Sequence, residues 1–114
     1  MTPPDTKEAR NLTPEERLYA AMVRKTIEDF ENGSLSAACW FVSRVGVRWL
    51  SIGGLDHMAT LERIGWAKGA RQIVAQAIEA LADPEAKPPQ KAVRARMEAE
   101  IEFLQAALSR MEAT

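Results

Sequence analysis

The residue types best suited to nucleophilic or metal chemistry occur once each in this chain, as Cys39 and His57. A cysteine activated by a histidine can attack acyl groups, and both side chains can bind zinc. Zinc sites need three or four convergent ligands, however, and His57 and its neighbour Asp56 point about 100° apart if they share a helix. We therefore predict no catalytic residue, no metal ligand, no cofactor and no enzymatic activity. An all-carboxylate metal site and an enzyme that uses Cys39 or His57 are the alternatives.

Positive charge in the middle of the chain suggests a different chemistry, the binding of phosphate groups. Residues 34–75 carry five basic and two acidic residues, whereas the flanks 1–33 and 76–114 each carry a net charge of −2. Basic residues on the second of two helices joined by a glycine-containing turn are typical of a helix-turn-helix, and phosphate contacts make binding sensitive to salt. Ordinary surface charge is the alternative. The predicted DNA-contact residues are Arg44, Arg48, Arg63, Lys68 and Arg71.

Helices must position these side chains, and the first two are marked by their ends. A first helix begins at Thr13-Pro14 and ends at Asn32-Gly33, because threonine caps helices, proline suits their first turn and glycine tolerates a left-handed turn. A second helix begins at Ser34 or Ser36. Residues 44–52 mix β-branched and aromatic side chains, so the pattern leaves open whether they are helical or extended.

A third, long helix is predicted over residues 57–82, after the break at Gly53-Gly54 and with Asp56 as its cap. Two glycines four residues apart, Gly65 and Gly69, each cost a helix about 1 kcal/mol relative to alanine. We expect that they allow another element to pack closely. Proline-rich residues 84–89 end this helix and form a stiff linker.

The last predicted helix covers residues 90–114 and carries apolar side chains at alternating spacings of four and three residues. This heptad seam is typical of a helix that packs along another helix, either within the bundle or at a contact between subunits. We predict an oligomer or partner interface at Met97, Ile101, Leu104, Leu108 and Met111.

Length and composition favour a single all-α domain. The chain has 114 residues, of which 46% are hydrophobic, and its formal net charge is −1. We predict a compact bundle of about four helices with a helix-turn-helix-like centre, made of a flexible leader 1–11, a core domain 12–83, the linker 84–89 and the C-terminal helix 90–114. The predicted core is formed by Trp40, Trp49, Ile64, Ile73, Ile78 and Leu104.

The location of the protein follows from its charges and its single cysteine. The apolar stretch 35–52 contains Arg44 and Arg48 near its middle, and each charge is costly in lipid, so we predict no membrane span. One cysteine cannot form an intramolecular disulfide, which agrees with a reducing compartment. We expect a cytoplasmic protein.

Three segments carry a likeness to known proteins: LTPEERLYAAMVRKTIEDF, SAACWFVS and WLSIGGLDHMATLERI. Together, over about residues 12–64, they resemble small uncharacterised helical proteins of phage and prophage genomes. The likeness implies a phage-related origin and a DNA-associated role, and it supplies no catalytic residue. The chain departs from the pattern at Cys39-Trp40, at Gly46 and throughout its C-terminal half. A basic centre followed by a heptad helix is also similar to small terminase-type packaging accessories.

These features predict a non-enzymatic, phage-derived protein that self-associates through its last helix and contacts DNA through its basic centre. The alternative is an inhibitor or adaptor that binds a host or CRISPR-type enzyme and no DNA. Such a protein would bury an exposed apolar patch against its partner. The residues predicted for that patch are Leu35, Phe41, Val45 and Trp49.

Overall fold

The computed structural model describes residues 13–83 and 90–112, which form six α-helices and no strand. The all-α prediction is confirmed, whereas the predicted number of four helices is wrong. The predicted leader 1–11 and linker 84–89 lie outside the described residues. The helices are α1 (Pro14–Glu31), α2 (Leu35–Val42), α3 (Arg44–Ile52), α4 (His57–Ile64), α5 (Trp66–Ala82) and α6 (Lys91–Glu112).

The first additional helix arises because the chain breaks at Ser43, between α2 and α3. Ser43 is extended, with φ −83° and ψ 162°. Its hydroxyl accepts a hydrogen bond from the Gly46 backbone N–H at 3.1 Å and donates one to the Trp40 carbonyl at 2.8 Å. One serine therefore caps the start of α3 and closes the end of α2. The open question about residues 44–52 is settled in favour of a helix.

The second additional helix arises because Gly65 divides the predicted long helix into α4 and α5. Gly65 is left-handed, with φ 65° and ψ 41°, a conformation that glycine adopts without steric cost. No atom outside its local chain lies within 4 Å of a Cβ built on Gly65. Of the two glycines expected to allow close packing, only Gly69 does so. A Cβ there would lie 2.6 Å from Cζ of the Phe30 ring on α1.

The helix α2 is the centre of the fold. It packs against α1, α3, α5 and α6, although it has only eight residues. Its buried residues are Ala37, Ala38 and Phe41. Two alanines let the neighbouring helices approach closely, and Phe41 fills the space between them, with its ring edge-on to Phe30 at 5.9 Å. The fully buried Trp66 of α5 donates its indole N–H to the Ala38 carbonyl at 3.0 Å.

The helix α6 closes the bundle along α2 and α5. Within the heptad seam, Ile101, Leu104 and Leu108 are buried, and Met97 and Met111 are partly buried. The buried part of the seam is covered by α2 and α5 of the same chain, and not by a second subunit. The bundle-closing role fits the burial of these side chains, and self-association stays a prediction.

The predicted core is right in part. Ile73 and Leu104 are buried, and Trp40 and Ile64 are partly buried against the core. Trp49 and Ile78 were placed in the core wrongly, since their side chains are 37% and 45% exposed. None of the described helices is long and apolar enough to cross a lipid bilayer.

Candidate interaction surface

The helix α3 leaves most of its circumference exposed. Gly46 and Leu50 are its only buried residues, and the other seven are exposed. Four of these seven are large and apolar: Val45 (56% exposed), Val47 (36%), Trp49 (37%) and Ile52 (69%). Apolar side chains gathered on one exposed helix are typical of a surface that another macromolecule covers.

Tight local packing holds α3 on the bundle despite its exposure. A Cβ at Gly46 would overlap the Trp40 carbonyl oxygen, so only glycine lets the first turn of α3 approach the end of α2. Leu50 is fully buried and anchors the middle of the helix. Gly46 and Leu50 thus hold α3 on the bundle, and its other side chains stay exposed.

Trp49 is held in place by an aromatic stack with α1. Its ring lies 5.7 Å from that of Tyr19, with an interplanar angle of 19°. The Tyr19 ring also packs against Gly53, where a Cβ would overlap it. Burial raises the pKa of the Tyr19 phenol, and the nearby Gly53 backbone partly offsets this effect. The hydroxyl has no hydrogen-bond partner of good geometry among the described residues. The stack presents the remaining indole surface in a fixed orientation.

Two of the predicted DNA-contact residues, Arg44 and Arg48, share a groove along α3. Both are exposed, and neither has an ion-pair or hydrogen-bond partner among the described residues. None of the described residues that line this groove is acidic. The lining residues are Val42, Ser43, Arg44, Val47, Arg48, Ser51 and Ile52. The groove combines two guanidinium groups with the apolar side chains of Val42, Val47 and Ile52.

The other predicted DNA-contact residues lie elsewhere. Lys68 and Arg71 line a second groove between α4, α5 and α6, which shares no residue with the groove on α3. Arg71 forms an ion pair with Glu112, and Glu62 lines the same groove. Arg63 is exposed in the last turn of α4 and lines neither groove. The structure therefore brings Arg44 and Arg48 together, and it does not gather all five cations in one groove.

Cys39 and His57 each contact a backbone carbonyl. The Cys39 thiol donates to the Glu100 carbonyl at 3.7 Å, and burial, with a smaller contribution from Glu100, raises its pKa to about 11. Such a thiol is protonated at neutral pH and is a weak nucleophile. His57 donates from Nε2 to the Phe41 carbonyl at 2.7 Å and so ties α4 to α2. The described part of the chain holds no group of three or more His, Cys, Asp or Glu side chains placed to bind a metal.

Sequence analysis missed most of the exposed apolar surface. It named Val45 and Trp49, but it also named Phe41, which is fully buried, and Leu35, which is only partly exposed. A usable signal is present in residues 44–52. The apolar residues at 45, 47, 49, 50 and 52 cover more than half of the helix circumference, and Arg44, Arg48 and Ser51 form the remaining face. A nine-residue helix at the edge of a small bundle cannot bury all of them.

Comparisons with family models, with curated proteins and with solved structures gave no match. The likeness to phage proteins and to small terminases stays a prediction.

Proposed function

We propose that this chain is a non-enzymatic binding module that recognises another protein through α3. The observation that carries the proposal is the exposure of Val45, Val47, Trp49 and Ile52 on one short, well-anchored helix. Covering these side chains removes apolar surface from water, which is the main driving force of protein association. This was the alternative function in the sequence analysis, and the exposed surface now favours it over DNA binding.

Three features of α3 match those of protein interfaces. Tryptophan and arginine are the residue types that contribute most to binding energy, and Trp49 and Arg48 are neighbours here. The Tyr19 stack fixes Trp49 before any partner arrives, which reduces the entropy lost on binding. The capped start of α3 at Ser43 gives the helix a defined first turn.

DNA contact through the same helix is the second candidate function. Arg44 and Arg48 are exposed and lack an acidic partner among the described residues, as phosphate-binding side chains would. Two phosphate contacts give a weak affinity with a small salt dependence. Four large apolar side chains beside them would face the charged backbone of the nucleic acid, which makes this candidate second.

Matched charge substitutions test the protein-binding function. Val45→Asp with Ile52→Asp places two carboxylates on α3, and Ile78→Asp places one at an exposed apolar position of α5. Each full-length variant is used as bait in the cells from which the gene comes, and the retained proteins are identified by mass spectrometry. Circular dichroism checks that the variants are folded.

The expected result is one or a few proteins retained by the unmodified chain and by Ile78→Asp, and lost from the α3 variant. Equal retention by all three baits would contradict the proposal. The same samples are tested for retention of a short DNA duplex at low salt. If the unmodified chain retains DNA but no protein, and Arg44→Gln with Arg48→Gln removes that DNA, then DNA contact replaces protein binding as the function of α3.

A further inference from the structure

We propose that the partner of α3 is an acidic and apolar segment of another protein, whose carboxylates pair with Arg44 and Arg48. This inference rests on the proposed function and names the chemistry of the partner. The two guanidinium groups lie one helical turn apart, and Val47 lies between them in the sequence. A matching segment presents two carboxylates about 6 Å apart beside apolar side chains, as residues three or four apart on a helix do.

The charges around the groove carry this inference. The chain as a whole is slightly acidic, with a net charge of −1, yet α3 carries +2 and no acidic residue. On α6, by contrast, Arg94 pairs with Glu98 and Arg96 pairs with Glu100. Arg44 and Arg48 have no such partner among the described residues, which leaves their donors available to a carboxylate supplied by another molecule.

Arginine beside apolar side chains suits carboxylate recognition in particular. The planar guanidinium can donate two parallel hydrogen bonds to one carboxylate, and it is more weakly hydrated than the ammonium of lysine. When a partner covers Val47 and Ile52, water leaves the groove and the attraction between the opposite charges becomes stronger. The apolar side chains and the arginines therefore act together on one kind of segment.

The same charges argue against a second copy of this chain as the occupant. In a dimer with two-fold symmetry, the surface of α3 would face an identical surface. Arg44 and Arg48 of one copy would then approach those of the other, and α3 supplies no carboxylate to separate them. Like charges brought together in this way oppose association.

Peptide selection on the full chain tests the inference without knowledge of the natural partner. A displayed library of random 16-residue peptides is selected on the unmodified protein, on Arg44→Gln with Arg48→Gln, and on Arg24→Gln with Arg110→Gln. The last variant also removes two exposed arginines, but from α1 and α6. Peptides enriched on the unmodified protein and on this control are expected to combine Asp or Glu with large apolar residues.

Calorimetry then measures the affinity of the tightest-binding peptide and that of a version in which every Glu and Asp is replaced by Gln. Loss of the carboxylates is expected to weaken binding roughly 10-fold or more, since charge-assisted hydrogen bonds are stronger than neutral ones. Arg44→Gln with Arg48→Gln is expected to remove most of this preference and to reduce the dependence of affinity on salt.

The outcomes separate this inference from the proposed function. The enriched peptides could instead be neutral or basic, with binding that Val45→Asp with Ile52→Asp abolishes. That result overturns the acidic partner and leaves protein binding through α3 in place. No enrichment, or enrichment that the α3 variants do not affect, overturns both. If sedimentation shows a dimer that Ile52→Asp dissociates, this identifies a second copy as the occupant and overturns the inference. Retention of duplex DNA through Arg44 and Arg48 identifies DNA as the occupant and also overturns it.

Discussion

The helices α2 and α3 are consecutive, nearly equal in length and separated by one residue, yet one is the centre of the core and the other is largely exposed. Both are rich in apolar residues. The difference lies in side-chain size, because α2 carries Ala37 and Ala38 where its neighbours approach, whereas valine, tryptophan and isoleucine are the exposed apolar residues of α3. Small residues let four helices surround α2, whereas α3 buries only Gly46 and Leu50 and stacks Trp49 on Tyr19 of α1.

Within these 18 residues, α2 is expected to determine stability and α3 is expected to determine recognition. Changes in α2 are expected to affect the free energy of unfolding, and changes on the exposed part of α3 are expected to affect binding with little loss of stability. The following predictions test this separation, beginning with the largest effect.

The largest difference is expected between Phe41→Ala on α2 and Trp49→Ala on α3. Phe41 is fully buried, so its truncation leaves a cavity that costs about 3–5 kcal/mol in the free energy of unfolding. Trp49 is partly exposed and loses its Tyr19 stack, which costs about 1 kcal/mol. Urea unfolding followed by far-UV circular dichroism measures both. Similar losses for the two variants would remove the distinction between the helices.

The junction between the two helices is tested by Gly46→Ala. Helix propensity alone predicts that alanine stabilises α3 by about 1 kcal/mol. The structure predicts the opposite sign, a loss of about 1–3 kcal/mol, because the added methyl group overlaps the Trp40 carbonyl oxygen. Ser51→Ala, at an exposed position of the same helix, is the control and is expected to change stability little. A stabilised Gly46→Ala variant would show that the junction is looser than described.

A smaller effect is expected from Trp66→Phe, which tests how α5 is held on α2. The substitution removes the indole N–H that donates to the Ala38 carbonyl and leaves a small void. A loss of about 1–2 kcal/mol is expected. Trp40→Phe is the matched control, because Trp40 is only partly buried and no described residue accepts a hydrogen bond from its indole. Equal losses for the two variants would mean that the bond to Ala38 contributes nothing measurable.

The smallest effect concerns the pH dependence contributed by Cys39 on α2. Burial, and to a lesser degree Glu100, raises its pKa from 9.0 to about 11 in the folded chain. Between these values the unfolded chain releases the thiol proton more readily, so the free energy of unfolding decreases as the pH rises from about 9 to about 11. The decrease is modest because the side chain is only partly buried. Chemical unfolding over this pH range, compared with Cys39→Ala, measures it; identical slopes for the two proteins would contradict the prediction.

Local signals in the sequence predicted the helix ends that depend on adjacent residues. Thr13 accepts the Glu16 N–H and Asp56 accepts the Ala59 N–H, as their positions before helical segments indicated. The breaks at Ser43 and Gly65 were missed. Serine and glycine also occur inside helices, and the conformation chosen at these two positions depends on packing between α2, α3, α4 and α5.

The candidate site was predictable where it depends on spacing along one helix. Arg44 and Arg48 share a groove because residues four apart lie on one face. The pairing of Arg71 with Glu112 joins α5 to the end of α6, and no local sequence pattern predicts a contact between residues 41 positions apart. The exposure of Val47 and Ile52 has the same origin, because it depends on which neighbours reach α3.

The three tryptophans differ in their surroundings, and this gives the molecule an internal optical probe. Trp66 is fully buried, Trp40 is partly buried and Trp49 has more than a third of its surface in solvent. Indole emission shifts to longer wavelength in water, so Trp49 dominates the red edge of the fluorescence spectrum of the native protein. A partner that covers α3 will shift this edge to the blue and protect it from iodide quenching, without any attached dye.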